Sequence, residues 1–330
     1  MREAMYYQPH KQGVLCNLCP KGCIINEGRT GFCRARKNIG NKLYTENYAR
    51  CSSCALDPIE KKPLYHFYPG SLILSLGTWG CNFSCTFCQN WQIAQELPNT
   101  TELLPSKAVE IAGQYKAQGN IGIAYTYSEP SVWYEYVLET AKLAKEAGLK
   151  NVLVTNGFIN PEPLKKLLPY IDAMNIDVKA FNNNFYQSVC AGGLEAVKET
   201  VELAVKFCHV EITTLLVPGL NDDEKEITTM SKWLAGLNPD IPLHFSRYFP
   251  NYKMKIPPTS EHVMEMAKKQ AGDYLNYVYL GNMSGGGGNT YCPKCDQLVI
   301  DRTRLQSHLR NEKNCPNCGA LITIIGEVNF

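Results

Sequence analysis

Three cysteines on one short stretch, Cys81-Asn-Phe-Ser-Cys85-Thr-Phe-Cys88, constrain this chain more than any other feature. Three thiolates so close together can hold three irons of a cubane cluster and leave the fourth iron open to a ligand from outside the protein. The duller readings are a zinc site or an electron-transfer cluster completed by a distant cysteine. The chain has 15 cysteines, and an odd number does not suit a closed disulfide framework. Most fall into groups with ligand spacing: 16/19/23/33, 81/85/88 and 292/295/315/318. Such grouping fits metal sites in a reducing compartment. Residues 1–10 lack the apolar core of a signal peptide, and no apolar run could span a bilayer. The expected location is therefore the cytoplasm, with no membrane partner. Lys+Arg 33 against Asp+Glu 31 leaves a net charge of +2, which gives no support for a nucleic-acid partner.

From Ser71 onward, short apolar runs alternate with amphipathic stretches. Strands are expected at 72–77, 121–125, 151–155, 173–177, 210–215 and 242–245, with helices near 107–116, 133–147, 162–168, 195–207 and 223–234. Asn221-Asp-Asp-Glu224 reads as a turn and helix start, its acidic side chains suiting the positive end of the helix. Six strands separated by helices imply a parallel α/β sheet, and six units are too few for a closed eight-stranded barrel. The expected fold is a partial (β/α)6 TIM-like barrel over residues 56–283, with chemistry at the C-terminal strand ends. Residues 1–55 read as a Cys-rich metal-binding lobe. Residues 284–330 read as a Gly-rich linker, Ser284 to Asn289, followed by a small module.

Cys292-Pro-Lys-Cys295 and Cys315-Pro-Asn-Cys318 form two Cys-x2-Cys knuckles nineteen residues apart, the spacing of a zinc ribbon. A rubredoxin-type iron would fit the same ligands. At the other end, Cys16-Asn-Leu-Cys19-Pro-Lys-Gly-Cys23 and Cys33 supply four thiolates for zinc or for a second [4Fe–4S] cluster. Cys51-Ser-Ser-Cys54 could be a redox pair, extra ligands or two buried small residues. Cys208 reads as a core residue. Trp79, Trp91, Tyr125 and Tyr127 could stack on a purine or simply pack.

The three-cysteine loop and the strand-end residues resemble the radical S-adenosylmethionine (SAM) superfamily, and within it pyruvate formate-lyase activating enzymes. Cys88-Gln89-Asn90-Trp91 is similar to that branch's Cys-His-Asn continuation, with Gln89 in place of His. Tyr127-Ser128-Glu129-Pro130 stands where the superfamily carries Gly-Gly-Glu-Pro, the segment that contacts the SAM amino group; both glycines are replaced. Thr155-Asn156-Gly157 and Asp177-Val178-Lys179 resemble polar positions around SAM, Val217-Pro218-Gly219 resembles the fifth-strand exit, and His244 matches an active-site histidine. Each secondary match has a structural alternative: a turn for Thr155-Asn156-Gly157, a helix cap for Asp177, a buried core group for His244. The stretches 57–70, 124–130 and 244–250 resemble the AmmeMemoRadiSam-system radical SAM enzymes along essentially the whole chain.

The resemblance implies a [4Fe–4S] cluster on Cys81, Cys85 and Cys88. SAM would lie against Tyr127, Ser128, Glu129, Thr155, Asn156 and Asp177. The implied reaction is reductive cleavage of SAM to a 5′-deoxyadenosyl radical that abstracts a hydrogen atom from substrate. Cys190 and His244 are candidate catalytic residues: Cys190 follows the fourth expected strand and could reach the active-site mouth as a hydrogen-atom donor or thiyl relay, its alternative being a buried, inert cysteine. Implied partners are a reductant such as flavodoxin or ferredoxin, Memo-like and AMMECR-like proteins, and a substrate that is a protein glycine, another polypeptide or a small metabolite. The non-enzymatic alternatives are an iron–sulfur electron carrier or a zinc-ribbon adaptor.

Overall fold

The computed structural model describes residues 1–283 and 287–330; the first part of the glycine linker, 284–286, lies outside the described residues. An eight-stranded sheet forms the body. Its strands are β1 (Ser53–Pro58), β2 (Leu72–Gly77), β3 (Asn120–Tyr125), β4 (Lys150–Thr155), β5 (Ala173–Asp177), β6 (His209–Leu216), β7 (Leu243–Arg247) and β8 (Val278–Gly281). Neighbours in space follow the order β8-β7-β6-β5-β4-β3-β2-β1, so the sheet has two unpaired edges and is not closed. All contacts from β2 to β8 are parallel; β1 joins β2 antiparallel.

The parallel order follows from the crossovers. Helices α1 (Pro105–Gln114), α2 (Tyr134–Glu146), α3 (Pro161–Leu167), α4 (Leu194–Ala204), α5 (Glu224–Leu237) and α6 (Glu261–Gly272) each lie between successive parallel strands, as parallel pairing requires. Asp223 caps α5 by accepting from the Glu226 N–H at 3.1 Å, where the sequence indicates a helix start. The sheet has seven parallel strands instead of six. The seventh, β8, and its helix α6 escaped because four residues beside a glycine run carry little periodicity. β1, which the expected strands do not include, pairs antiparallel at the sheet edge.

Residues 63–68 run under the sheet and close its interior. The Glu211 carboxylate on β6 accepts from the backbone N–H of Tyr65 at 2.9 Å and of His66 at 2.7 Å. His209 and His244 contact the same carboxylate at 3.0 and 2.6 Å. Burial opposes its ionisation, but the two histidines hold Glu211 well below the usual carboxylate range. The His66 ring bridges the Thr323 carbonyl and the Tyr279 hydroxyl, and burial pushes its pKa down to about 4. A histidine with a depressed folded pKa stabilises the fold fully above its unfolded value, near 6.5, and loses that contribution as pH falls toward 4. Stability is expected to decline by roughly 3 kcal/mol across that window. Urea denaturation at pH 7, 5.5 and 4.5 measures it, and a His66→Gln chain with an unchanged slope would count against the assignment.

The terminal segments differ in how they attach. Two small antiparallel sheets fill residues 2–45, and their buried Val14, Leu18, Ile25 and Leu43 belong to the same apolar cluster as the barrel helices. The C-terminal segment builds its own cluster from Val299, Ile300, Ile322 and Ile324, against Tyr277 and Tyr279 of the body.

Candidate active site

The C-terminal ends of the parallel strands surround a cavity of about 350 Å³, within the ~300–1,000 Å³ typical of small-molecule sites. Cys81, Cys85 and Cys88 all line it. Their loop is short because β2 ends at Gly77, and it is held from behind: Ser84 and Thr86 donate their N–H groups to the carbonyls of Cys190 and Val189, at 2.8 and 3.0 Å. Burial pushes the Cys81 thiol far up and Cys88 to about 11. For Cys85 the larger cause is a hydrogen bond with the Cys190 thiol, then burial. Protons therefore stay on these sulfurs until a cation replaces them.

The six residues proposed to face SAM all line the same cavity. Glu129 is buried and spends its carboxylate on the protein, accepting from Ser131 N at 2.9 Å, Thr155 Oγ1 at 2.7 Å and Asn156 N at 2.8 Å. It ties the end of β3 to the end of β4. Asn156 donates through its side chain to Asn82 Oδ1 at 2.8 Å and lies 3.7 Å from Cys81 Sγ. Asp177 pairs with Lys179 at 2.9 Å. Ser128 Oγ is buried with no hydrogen-bond partner among the described residues, a state a native site rarely tolerates without a ligand.

Tyr127 takes a left-handed backbone of the kind glycine adopts, with φ of +69°. That conformation costs roughly 1–2 kcal/mol for a residue with a Cβ. Its hydroxyl donates to Asp57 at 2.6 Å, and its carbonyl accepts from Asn90 Nδ2 at 2.8 Å. Asp57 also receives Lys61 and the buried Lys62; against the effect of burial, these bonds hold its carboxyl well below the usual range. Tyr127→Phe is expected to cost about 1–2 kcal/mol, the worth of a hydrogen bond to a charged, partly shielded acceptor. Chemical denaturation checks this, and an unchanged midpoint would show the bond to be idle.

Other candidates lie elsewhere. Cys190 is fully buried behind Cys85 and His244 is held in the Glu211 network; neither lines the cavity. Of the four aromatics, only Tyr127 does: Tyr125 donates to Asn151 in the core at 3.1 Å and Trp91 stacks on Tyr252. Lys179, in the Asp177-Val178-Lys179 segment, lines the cavity as well, and so do Lys62 and Ser246, which the sequence does not single out. Lys62 carried no local signal, because its place depends on β1 pairing antiparallel at the sheet edge.

The four C-terminal cysteines bring all four sulfurs within 4.8 Å of one another, with Cys292–Cys318 and Cys295–Cys315 at 3.6 Å. Asp296 and Gly319 take left-handed backbone after the second cysteine of each knuckle. The tetrahedral edge for a Zn–S bond of ~2.3 Å is about 3.8 Å, so a four-coordinate ion fits without rearrangement. Backbone N–H donation by Gln297 lowers Cys295 to about 6, suiting it to bind as thiolate.

Residues 76–230 match the family model of the radical SAM superfamily. The chain is 45% identical to an uncharacterized protein of Methanocaldococcus jannaschii, across 98% of this chain and all of that one. It is 28% identical to the pyruvate formate-lyase 1-activating enzyme of Escherichia coli K12, over 44% of this chain and 61% of the relative. The crystal structure of Streptococcus suis SuiB bound to S-adenosylmethionine is similar at a TM-score of 0.53 and 12% identity, over 64% of this chain and 52% of that one. At that identity the likeness speaks for the fold. No helix among the described residues is long and apolar enough to cross a membrane.

Proposed function

The chain belongs to the radical SAM superfamily, and from that premise we propose that it is an enzyme using Cys81, Cys85 and Cys88 to hold a [4Fe–4S] cluster with one iron left for SAM. When bound, that pair supplies one-electron cleavage of the sulfonium to a 5′-deoxyadenosyl radical able to take a hydrogen atom from substrate. One observation carries the reading: Cys81, Cys85 and Cys88 line a single cavity at the strand ends together with Ser128, Glu129, Thr155, Asn156 and Asp177.

The chain's own residues bind and orient. Ser128 offers the free polar contact, and Asp177 a carboxylate beside Lys179. Glu129 positions the β3 and β4 ends through Thr155 and Asn156. Phe83 and Phe87 on the cluster loop limit access of water to the cavity floor. We assign Cys190 to positioning Cys85, and His244 to positioning Glu211.

Relatedness to a pyruvate formate-lyase activating enzyme supports a polypeptide hydrogen donor and a flavodoxin- or ferredoxin-type reductant. Memo-like and AMMECR-like proteins are the binding partners to try first. The test is 5′-deoxyadenosine formation from SAM by the reduced, reconstituted protein, lost in the Cys81→Ala/Cys85→Ala/Cys88→Ala chain. Persistent absence of 5′-deoxyadenosine, with an intact cluster whose spectrum ignores SAM, would favour the electron-carrier reading instead.

A further inference from the structure

We infer that Cys16, Cys19, Cys23 and Cys33 hold a second [4Fe–4S] cluster, not zinc. The chain contains its own standard for comparison. At the C-terminus, four sulfurs have closed to the spacing of a tetrahedral ion. Among the described residues no other group of three or more ligand atoms is so close together. The N-terminal four instead stand around a void that all of them line, with Leu18, Ile25 and Val132 completing an apolar wall. Cys81, Cys85 and Cys88 share that open arrangement, lining one cavity without closing to the tetrahedral spacing. A single ion brings its ligand atoms into mutual contact, whereas a cubane puts its own iron and sulfide between them. The N-terminal arrangement is of the second kind.

The wall chemistry agrees. Arg36 lines the void, is 1% exposed, and lies with Nη1 4.0 Å from Cys16 Sγ. Its other arm pairs with Glu135 at 2.5 Å, while its Nε has no partner among the described residues. A buried guanidinium on the wall of the void, close to Cys16 and with one N–H unpartnered, suits sulfurs that carry net negative charge and accept hydrogen bonds. The void also abuts the cluster loop. Asn82, next to Cys81, forms part of its wall, and a Cβ at Gly80 would lie 2.5 Å from the Cys33 carbonyl oxygen. A cluster here is placed to take one electron from a low-potential iron–sulfur or flavin protein and pass it to the loop, being reduced and then reoxidised in turn.

The experiment uses the full chain, purified and reconstituted without oxygen, with iron, zinc and electron paramagnetic resonance (EPR) read together. The Cys81→Ala/Cys85→Ala/Cys88→Ala chain should keep about four irons, one zinc, and a reduced-cluster signal indifferent to SAM. Two zincs and no iron in that chain would overturn the inference. Cys19→Ser/Cys33→Ser should lose about half the iron of the unsubstituted chain and keep the SAM-shifted signal; if it misfolds, the first chain decides alone. In the fully reduced unsubstituted protein the two signals should broaden each other, and sharp additive spectra would remove the relay. None of these readings depends on SAM being cleaved, so this inference and the enzymatic one fail separately.

Discussion

Replacing Glu129 with alanine should cost about 3 kcal/mol or more of stability and weaken SAM binding at least tenfold. The carboxylate accepts three hydrogen bonds, two of them from the backbone N–H groups of Ser131 and Asn156. Each bond to a charged acceptor contributes about 1.5–3 kcal/mol, and a buried donor left without a partner costs a further 1–3 kcal/mol. Water can enter the space and recover part of this, which keeps the expectation near the lower end. The effect on SAM is indirect. Without Glu129 the β3 and β4 ends lose their common anchor, and Asn156 loses its fixed position beside Cys81. Urea denaturation and SAM titration of the reconstituted protein read the two effects apart. Glu129→Gln, which keeps one acceptor oxygen, should fall between. An alanine chain with unchanged stability and SAM affinity would leave Glu129 without the role given to it.

Glu211→Ala is expected to destabilise the fold by about 3–5 kcal/mol, the cost of opening a buried charged network. Four groups lose their acceptor at once: two backbone N–H groups and two imidazoles. The pH dependence supplies a second check. Because the folded pKa of Glu211 is depressed, its contribution is present above the unfolded value near 4.5 and is lost as pH falls below it. Unsubstituted protein should thus lose stability in two stages on acidification, first through His66 and then through Glu211. The alanine chain should show the first stage and lack most of the second. An alanine chain within 1 kcal/mol of the unsubstituted stability would mean that solvent already shares this network.

The body of the fold was legible because its strands are buried on both faces and stand out as continuous apolar runs, as at Leu72–Gly77 with five of its six residues buried. The six strand-end candidates were legible for a related reason: β–α units place strand ends side by side without any need to know their contacts. What those residues touch was not legible. Glu129 reads as a ligand by motif, yet its oxygens are occupied by the protein, while Ser128 beside it is free. The Glu211 network joins residues 66, 209, 211, 244 and 279, and no local pattern announces a meeting of side chains from four separate segments. Cys190 was read as a mouth residue because it follows β5, but an irregular helical turn, Tyr186–Cys190, folds it back beneath the cluster loop.

The route of residues 63–68 under the sheet also bears on the order in which the protein can be finished. These residues precede most of the sheet in the chain, but the Tyr279 hydroxyl and Thr323 carbonyl that satisfy the His66 ring, and the Arg302 guanidinium that donates to the Tyr65 carbonyl, follow 213 to 257 residues later. Until then the base of the sheet holds a segment whose His66 ring and Tyr65 carbonyl lack these partners. Completion of the base thus waits on residues 279–323, the segment whose four cysteines stand close enough to share one ion. Opening the C-terminal cluster with Cys292→Ser/Cys318→Ser should therefore leave the base unfinished, and limited proteolysis should cut such chains within residues 59–71 while sparing the unsubstituted protein.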